Sequence, residues 1–249
     1  MKNRKELIID RFRKVKELGF VESHRKNNTG IGKTFEDYVG VVENNIDEPD
    51  LYGYEIKSHR DSTGSYITLF TKSPNFPKGA NNLLKDRYGV PYDDNPGLKK
   101  LHTSMFANKG NTFNGNISFR LINDRVNRVL LIGVFDIATG QLIDSSTGYT
   151  YNCLDKKLQK KLTDLFYVSA ERKYVGDTEF FHFNKATIYS KPSLEQFLLL
   201  VDKGLIMYDI RIGSYKSGKS IGKAHDHGSG FRILEGNLRL LFEEKEEIL

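Results

Sequence analysis

Apolar residues near the start of the chain recur every three or four positions, which is the period of an α-helix with one buried face. Gly19, a residue that commonly ends helices, follows this first series. After the polar loop Arg25–Gly32, Thr34 is the expected N-cap of a second, shorter helix. The apolar positions of the two predicted helices are Leu7, Ile8, Phe12, Val15 and Leu18, then Phe35, Tyr38, Val39 and Val42.

Runs rich in β-branched and aromatic residues, bounded by turn-forming residues, predict strands farther along the chain. Their bounds are Leu51–Ser58, Tyr66–Thr71, Ile117–Ile122, Arg128–Asp136, Glu179–Tyr189 and Leu205–Tyr215. Helical spacing returns over Leu154–Phe166 and again after Pro192, where Gly204 is the expected end. Because helices and strands are intermixed, we expect an α/β or α+β fold with a mixed central β-sheet flanked by helices.

The stretch 73–114 lacks a clear period and is rich in glycine, proline, asparagine and lysine. We expect it to be an irregular excursion over the surface that embraces a ligand. A second aperiodic segment, 216–230, combines glycines, serines, lysines and histidines, and we expect it to be a loop.

The chain of 249 residues has a formal net charge of +6 and a single cysteine, Cys153. The lone cysteine excludes an internal disulfide and a Cys-ligated zinc finger, and it favours a reducing cytoplasm. The longest apolar runs are much shorter than the ~20 residues that a membrane helix needs, and the charged N-terminus lacks an apolar secretory core. A basic protein of this size suits an anionic partner, and nucleic acid is the first candidate.

The most informative motif lies around the start of the first predicted strand. Side chains alternate along a strand, so Glu55 and Lys57 share one face while Ile56 points into a core. A tight turn can bring the carboxylate of Asp50 towards Glu55, since only four residues separate them. Two carboxylates and the backbone carbonyl of Ile56 form an oxygen-rich site that suits Mg²⁺. With Lys57 orienting the attacking water, the motif predicts metal-assisted hydrolysis of a phosphodiester.

Other interpretations of these residues stay open. The motif is short, and it is also compatible with a half-buried strand edge that carries an ordinary Glu–Lys pair. Paired carboxylates at Asp50 and Glu55 are typical of glycosidases as well, although the basic charge, Lys57 and the absence of tryptophan argue against a sugar site. Gly32-Lys33-Thr34 is similar to the end of a phosphate-binding loop, but Asn27 stands where that loop requires its first glycine.

The last predicted strand presents Asp209 and Arg211 on one exposed face, opposite its apolar residues. Such a pair can read a C·G base pair, because arginine donates to guanine O6 and N7 while aspartate accepts from cytosine N4. The alternative is a salt bridge between the two side chains. Arg232, on an expected strand after the following loop, is a further candidate for contact with guanine, or else an ordinary surface charge.

Four residues of the loop 216–230 are candidates for DNA binding: Lys223, His225, Asp226 and His227. Lysines neutralise backbone phosphates, and histidines can donate to guanine or to phosphate. The His-x-His spacing also suits a transition metal, but zinc would need further ligands. A basic loop without a special role is the third possibility.

Together, Asp50, Glu55 and Lys57 resemble the catalytic triad of the PD-(D/E)xK nucleases. The preceding Gly30–Glu36, in which a glycine-rich turn opens a helix that carries Glu36, resembles the MutH-like branch of these nucleases. Chain length, the sequence around the triad and the histidine-rich C-terminal loop resemble the MvaI/BcnI restriction endonucleases along essentially the whole chain.

This resemblance implies a restriction-endonuclease-like core with a smaller DNA-recognition lobe. It implies a monomeric type II enzyme that cuts double-stranded DNA with Mg²⁺ held by Asp50, Glu55 and Ile56. Lys57 and the outer carboxylate Glu36 are then also catalytic. Members like MvaI cut within CC(A/T)GG and those like BcnI read CC(C/G)GG, and the former is the expected target. A monomer with one such site must nick the two strands in turn.

The resemblance also implies a division of the chain. The catalytic core is expected at 1–72 and 115–190, the excursion at 73–114 and the recognition lobe at 191–249. No membrane association and no obligate protein partner are expected. Two other functions stay open, namely a MutH-like repair nickase under the control of a partner and a DNA-binding module without catalytic activity.

Overall fold

The part of the chain that the computed structural model describes, residues 2–41, 49–61 and 64–248, contains five α-helices and fourteen β-strands. The helices are α1 (Arg4–Glu17), α2 (Gly30–Val39), α3 (Ala80–Tyr88), α4 (Tyr151–Leu162) and α5 (Leu194–Asp202). The strands are β1 (Phe20–Glu22), β2 (Glu55–Arg60), β3 (Tyr66–Thr71), β4 (Val90–Pro91), β5 (Lys99–Met105), β6 (Ile117–Asp124), β7 (Val129–Asp136), β8 (Leu142–Thr150), β9 (Asp164–Val175), β10 (Thr178–Pro192), β11 (Ile206–Ser214), β12 (Ala224–Asp226), β13 (Gly230–Leu234) and β14 (Phe242–Ile248). None of these helices has the length and apolar character needed to cross a bilayer.

The chain divides into two units, each built from separated segments. Unit 1 comprises Met1–Ser65, Gln159–Pro192 and Phe242–Leu249, and unit 2 comprises Tyr66–Leu158 and Ser193–Leu241. The predicted division differs from these bounds, because it grouped 66–72 and 115–158 of unit 2 with 1–65 and 159–190 of unit 1. It also placed 242–248 in the recognition lobe, whereas β14 pairs with β10 in unit 1.

Unit 1 is organised around a five-stranded sheet. Its strands follow the order β1-β10-β9-β2, and β14 also pairs with β10. β2 runs parallel to β9, while the other pairs are antiparallel. The expected mixed β-sheet is therefore confirmed.

The core of unit 1 lies between this sheet and the helices α1 and α2. Ile56 of β2 and Phe166 of β9 are buried in it. The helices contribute apolar residues from one face each, namely Ile8, Phe12 and Val15 from α1 and Ile31, Phe35 and Val39 from α2. Because Ile56 points into this core, Glu55 and Lys57 lie on the opposite face of β2, as the alternation predicts.

Unit 2 contains two further sheets. The larger has the strand order β3-β13-β11-β5-β4, with β12 also paired to β11, and the smaller consists of β6, β7 and β8. All these pairs are antiparallel. The apolar residues of β11, among them Tyr208, Ile210 and Ile212, are fully buried as predicted.

Several elements end or begin at the predicted residues. Gly19 follows α1 with a positive φ of 69°, and β3 has the bounds expected from its sequence. The side chain of Ser193 caps α5 by accepting a hydrogen bond from the N–H of Gln196. Gly204, also with a φ of 69°, lies just beyond the end of that helix. Local signals thus determine these boundaries.

The predicted N-cap at Thr34 is wrong, because α2 already begins at Gly30. Thr34 is buried within the helix, where its hydroxyl donates to the carbonyl of Gly30 at 2.8 Å and accepts from the N–H of His24 at 2.9 Å. A Cβ on Gly30 would lie 2.2 Å from the carbonyl oxygen of Arg25, so this close approach requires glycine. Val42, expected on the same helix face, lies outside the described residues.

The predicted helix over Leu154–Phe166 is too long. α4 ends at Leu162, and β9 begins at Asp164. Leu165 and Phe166 are adjacent in β9 and are both fully buried. A strand that is buried on both faces has no alternation, so its first residues continue the apolar series of the preceding helix.

The segment 73–114 is more regular than predicted, since it contains α3 and β5. Leu84 is the buried anchor of α3, while Leu101 and Met105 are buried in β5, which pairs with β11. These few apolar anchors are spread among many polar residues, and the sequence therefore shows no clear period.

Candidate functional site

A tight turn joins Asp50 to β2 in unit 1. Leu51 and Tyr54 exchange two backbone hydrogen bonds of 3.1 and 2.9 Å, and the two residues between them have positive φ values of 50° and 82°. Two-residue turns with both central residues in the left-handed region are typical of tight hairpins. The predicted strand Leu51–Ser58 therefore begins only at Glu55. The short spacing between Asp50 and Glu55 requires a tight turn, and this turn is present.

Glu55 lies at the centre of the site. Only 9% of its surface is exposed. The ammonium of Lys57 donates to its Oε1 at 2.9 Å, and the ammonium of Lys161 donates to its Oε2 at 3.3 Å. Both oxygens of the carboxylate are therefore ion-paired, in surroundings where charges interact more strongly than they do in water.

Asp50 lies beside Glu55 at the entrance to β2. Its Oδ2 accepts a hydrogen bond of 2.7 Å from the N–H of Ile56. Although the residue as a whole is exposed, protein atoms desolvate its carboxylate, and this raises the pKa of the Asp50 carboxyl above its ordinary value. The charge of Glu55 raises this pKa further, whereas the Ile56 hydrogen bond and the two lysines lower it. The two carboxylates repel each other, and a bound cation would relieve that repulsion.

These donors fit a small divalent cation. Mg²⁺ is typically held by one or two carboxylates, and water and phosphate oxygens fill its other positions. Asp50 and Glu55 supply that number of carboxylates. In the described ranges 2–41, 49–61 and 64–248, no group of three or more histidine, cysteine, aspartate or glutamate side chains is arranged to hold a metal. The carbonyl of Ile56 as a third ligand stays a prediction.

Glu36 lies on α2, which packs against β2 in unit 1. It is half-buried, and a Cβ on Gly32 would lie 3.8 Å from its Oε1. The neighbouring Lys33 is ion-paired with Asp37 at 2.7 Å. The helix therefore brings Glu36 into the unit that contains Asp50, and its role as an outer carboxylate stays a prediction.

Lys161 is the residue of this site that sequence reasoning missed. It belongs to the last turn of α4 and lies 106 residues beyond Glu55 in the chain. The pairing of β2 with β9, the strand that follows α4, brings the two together. No local pattern distinguishes Lys161 from the other lysines of this helix, so the sequence contains no signal for the contact.

Unit 2 contains a second buried carboxylate with two cationic partners. Asp209 of β11 is only 5% exposed, so the expectation of an exposed strand face is wrong for this residue. Its Oδ2 accepts from Nε of Arg211 at 2.6 Å and lies 3.0 Å from Nε of Arg232. Ser104 donates to its Oδ1 at 2.8 Å, and Arg232 also donates to the hydroxyl of Thr68 at 2.8 Å.

The salt bridge considered for Asp209 and Arg211 is therefore present. The side chain of Arg211 is nevertheless 52% exposed, and that of Arg232 is 20% exposed. Each guanidinium has five N–H donors. Arg211 donates its Nε–H to Asp209, whereas Nε of Arg232 is at ion-pair distance from Asp209 without a hydrogen bond to it. The ion pair thus orients the two arginines and leaves Arg211 accessible from outside.

The two histidines of the segment 216–230 pack against each other with their rings tilted by 52°. The expectation of a loop is wrong for Ala224–Asp226, because these residues form β12 and pair with β11. The ring of His225 stacks on Tyr215 at a centroid distance of 4.4 Å and lies 4.3 Å from the ring of His227. Gly213 makes room for this packing, since a Cβ there would lie 2.6 Å from Nε2 of His227. Lys223, just before β12, is exposed. This packing holds the two imidazoles in defined positions.

A third histidine joins this group from β5. His102 is directly opposite Arg211 in the strand register, and its ring lies 6.2 Å from that of His227. Burial and the nearby His227 and Arg211 lower the pKa of the His102 imidazole. The polar face around Arg211 therefore includes a neutral imidazole at physiological pH.

Asp226 differs from its neighbours because its carboxylate points into the protein. Its Oδ1 accepts from the N–H groups of Gly228 at 2.9 Å and Ser229 at 2.6 Å. Its Oδ2 accepts from Ser73 at 2.7 Å and from Asn81 at 3.0 Å. These bonds give Asp226 a role in shaping the loop, whereas its direct contact with DNA stays a prediction.

The sequence profile of the MvaI/BcnI restriction endonuclease family matches residues 9–242. The chain is similar to the solved complex of restriction endonuclease MvaI with its cognate DNA substrate, with 36% sequence identity, a TM-score of 0.88 and complete coverage of both chains. It is also similar to MvaI in the absence of DNA, with 36% identity, a TM-score of 0.68 and coverage of 100% of this chain and 99% of that one. No curated protein sequence matches it. The matched range contains both the turn at Asp50 and the contacts of Asp209.

Proposed function

The chain belongs to the MvaI/BcnI restriction endonuclease family, and we propose that it hydrolyses phosphodiester bonds within CC(A/T)GG in a Mg²⁺-dependent reaction. As a member of this family it is a type II site-specific endonuclease. One observation carries the finer proposal. The carboxylate of Asp50 is bound to the N–H of Ile56 at 2.7 Å, next to Glu55 at the start of a strand, and the ammonium of Lys57 lies 2.9 Å from Glu55.

In this proposal Asp50 and Glu55 would hold the metal ion, which would supply Lewis-acid stabilisation of the charge that develops on the phosphate. Glu55 anchors the ammonium of Lys57, so this cation has a defined place beside the scissile phosphate. Lys57 orients the attacking water and stabilises the same negative charge. The hydrogen bond from the N–H of Ile56 keeps the Asp50 carboxylate turned towards β2.

Recognition is assigned to residues of unit 2. Arg211 and Arg232, which both contact Asp209, are assigned to guanine edges in the major groove, because guanidinium groups donate to guanine O6 and N7. His225 and His227 supply further donors or acceptors, and Lys223 neutralises a phosphate. The support for this part is the shared carboxylate of Asp209, which contacts both guanidinium groups.

The target CC(A/T)GG and monomeric action are proposed from the likeness to MvaI over the full chain. A monomer that uses this carboxylate pair alone would cut one strand at a time, and non-equivalent residues would read the two halves of the site. The formal net charge of +6 suits a DNA substrate. We place this activity in the cytoplasm and assign it no obligate protein partner.

The test uses supercoiled plasmids that carry one CC(A/T)GG site, one CC(C/G)GG site or neither site. With Mg²⁺, the first plasmid should pass through a nicked circle to a linear form, and EDTA should stop the reaction. Cleavage of the CC(C/G)GG plasmid instead would assign the other target of the family. Nicking that never proceeds to linear DNA would favour a repair nickase, and linear DNA without a nicked intermediate would contradict sequential cutting.

A further inference from the structure

The proposed mechanism uses one of the two lysines that contact Glu55. The other, Lys161, has a side chain that is only 15% exposed, and its ammonium lies 3.3 Å from Oε2 of the same carboxylate. A lysine enclosed to this extent is uncommon unless it has a specific partner. Lys161 also lowers the pKa of the Asp50 carboxyl, so its charge acts on both proposed metal ligands.

Two carboxylates and two ammonium groups therefore meet at this end of β2. Two neighbouring carboxylates are unfavourable without nearby positive charge. In the protein by itself, Lys57 and Lys161 supply that charge. A divalent cation held by Asp50 and Glu55 would take over this role. It would also be repelled by the ammonium groups of Lys57 and Lys161.

The two lysines are not equivalent. Lys57 is two residues from Glu55 on the same strand face and makes the shorter contact, 2.9 Å against 3.3 Å. Lys161 reaches Glu55 from the end of a helix through a flexible four-carbon stem, which can turn away without moving the backbone. Lys161 is therefore the lysine whose ammonium can dissociate from the carboxylate of Glu55.

Resting on the proposed metal site, we infer that Lys161 is a positioning residue that acts as an exchangeable counter-ion for Glu55. It holds the carboxylate in place in the metal-free protein, and Mg²⁺ displaces it on binding. The inference predicts opposite effects of its removal: a less stable protein without metal, and tighter binding of metal.

Lys161→Met tests this inference because it keeps the length of the side chain and removes the charge. The melting temperature of the full chain is measured in EDTA and over a series of Mg²⁺ concentrations, without DNA and at constant ionic strength. We expect the variant to melt lower than the wild type in EDTA. It should reach half of its Mg²⁺-induced shift at about fivefold lower Mg²⁺, since one positive charge near the ion is gone.

Two further variants serve as controls. Lys160→Met removes a charge from the adjacent, exposed position of α4. The Mg²⁺ midpoint, the concentration that gives half of the melting-temperature shift, should stay within about twofold of the wild-type value. Lys161→Arg keeps the charge and should restore most of the EDTA melting temperature. Far-UV circular dichroism shows whether each variant is folded before the titration.

An unchanged or higher Mg²⁺ midpoint in Lys161→Met would overturn the counter-ion role while leaving the metal site intact. The same shift in Lys160→Met would also overturn it, because the effect would then be general electrostatics. If Lys161→Met does not fold, Lys161→Gln takes its place under the same criteria. A wild type whose melting temperature does not respond to Mg²⁺ would overturn the metal site itself, and the counter-ion role with it.

Discussion

Glu55 in unit 1 and Asp209 in unit 2 have the same arrangement with different cations. Each is a buried carboxylate on a strand, and each contacts two cationic side chains. The partners of Glu55 are lysines, whereas the partners of Asp209 are arginines.

The difference between the two cations matches the two proposed tasks. A lysine ammonium is a compact charge on a flexible stem, and a metal ion can replace it at a carboxylate. An arginine guanidinium is a planar fork, and a carboxylate bound to one edge orients the remaining donors towards a planar partner such as a base. The lysine cluster, Glu55 with Lys57 and Lys161, therefore suits ion exchange and phosphate chemistry. The arginine cluster, Asp209 with Arg211 and Arg232, suits recognition of bases.

The largest effect is expected from Lys57→Ala. Loss of the ammonium beside Glu55 should lower the cleavage rate by about 10³-fold, since groups that assist the reacting water typically contribute 10²–10⁴-fold. Binding of the cognate duplex in Ca²⁺ should change much less. Single-turnover cleavage and a gel-shift assay measure the two quantities, with Lys160→Ala as the matched control. Cleavage at the wild-type rate in Lys57→Ala would refute the mechanism.

The arginine cluster is tested by Arg211→Ala and Arg211→Lys. Loss of a bidentate contact to guanine costs about 1–3 kcal/mol, so the affinity for the cognate site should fall about 5- to 150-fold. Lysine should restore little of this loss, because it lacks the planar fork. Duplexes with each base pair substituted in turn should show relaxed selectivity at one position.

Lys223→Ala provides the contrast within the same unit. A phosphate contact carries no sequence information, so affinity should fall by a similar factor for cognate and non-cognate duplexes and its salt dependence should weaken. If Arg211→Ala behaved in this uniform way too, its assignment to base reading would fail.

A carboxylate outside both clusters provides a reference for stability. Burial alone would raise the pKa of Asp144, but hydrogen bonds from Tyr88, Ser146 and Arg87 outweigh it and lower this pKa to about 2. A lowered pKa stabilises the folded state above the unfolded value, and the gain is lost as pH falls from about 4 to about 2. Asp144→Asn should therefore melt about 4 °C lower at pH 7. This difference should shrink below about pH 4.

Asp50→Asn should change the melting temperature least, and it should raise it, whereas Asp144→Asn lowers it. The pKa of the Asp50 carboxyl is raised by burial and by Glu55, so its ionised form disfavours folding once the pH exceeds its pKa. In EDTA at pH 7.5 the variant should melt about 1–2 °C higher than the wild type, with no advantage near pH 3. Added Mg²⁺ should stabilise the wild type alone. A lower melting temperature of Asp50→Asn in EDTA would contradict the assigned repulsion.

Short-range patterns in the sequence determined much of unit 1 around the site. The period of α1, the alternation of Glu55, Ile56 and Lys57, and the tight turn demanded by the spacing from Asp50 all follow from local stereochemistry. The same holds for the cap at Ser193. The family resemblance also rests on contiguous stretches of sequence, and for this reason the amino-acid sequence alone is enough to reveal it.

Only the tertiary structure decided which distant side chains meet. Lys161 reaches Glu55 because β9 lies parallel to β2, and Asp209 is buried because β5 and β13 pair on either side of β11. The start of α2 at Gly30 depends on a close approach to Arg25 that spacing does not reveal. Periodicity records which face of an element is buried, but it contains no information on the partner of a charged side chain across the fold. Such a partner is selected by strand order and register, and these arise only when the whole chain packs.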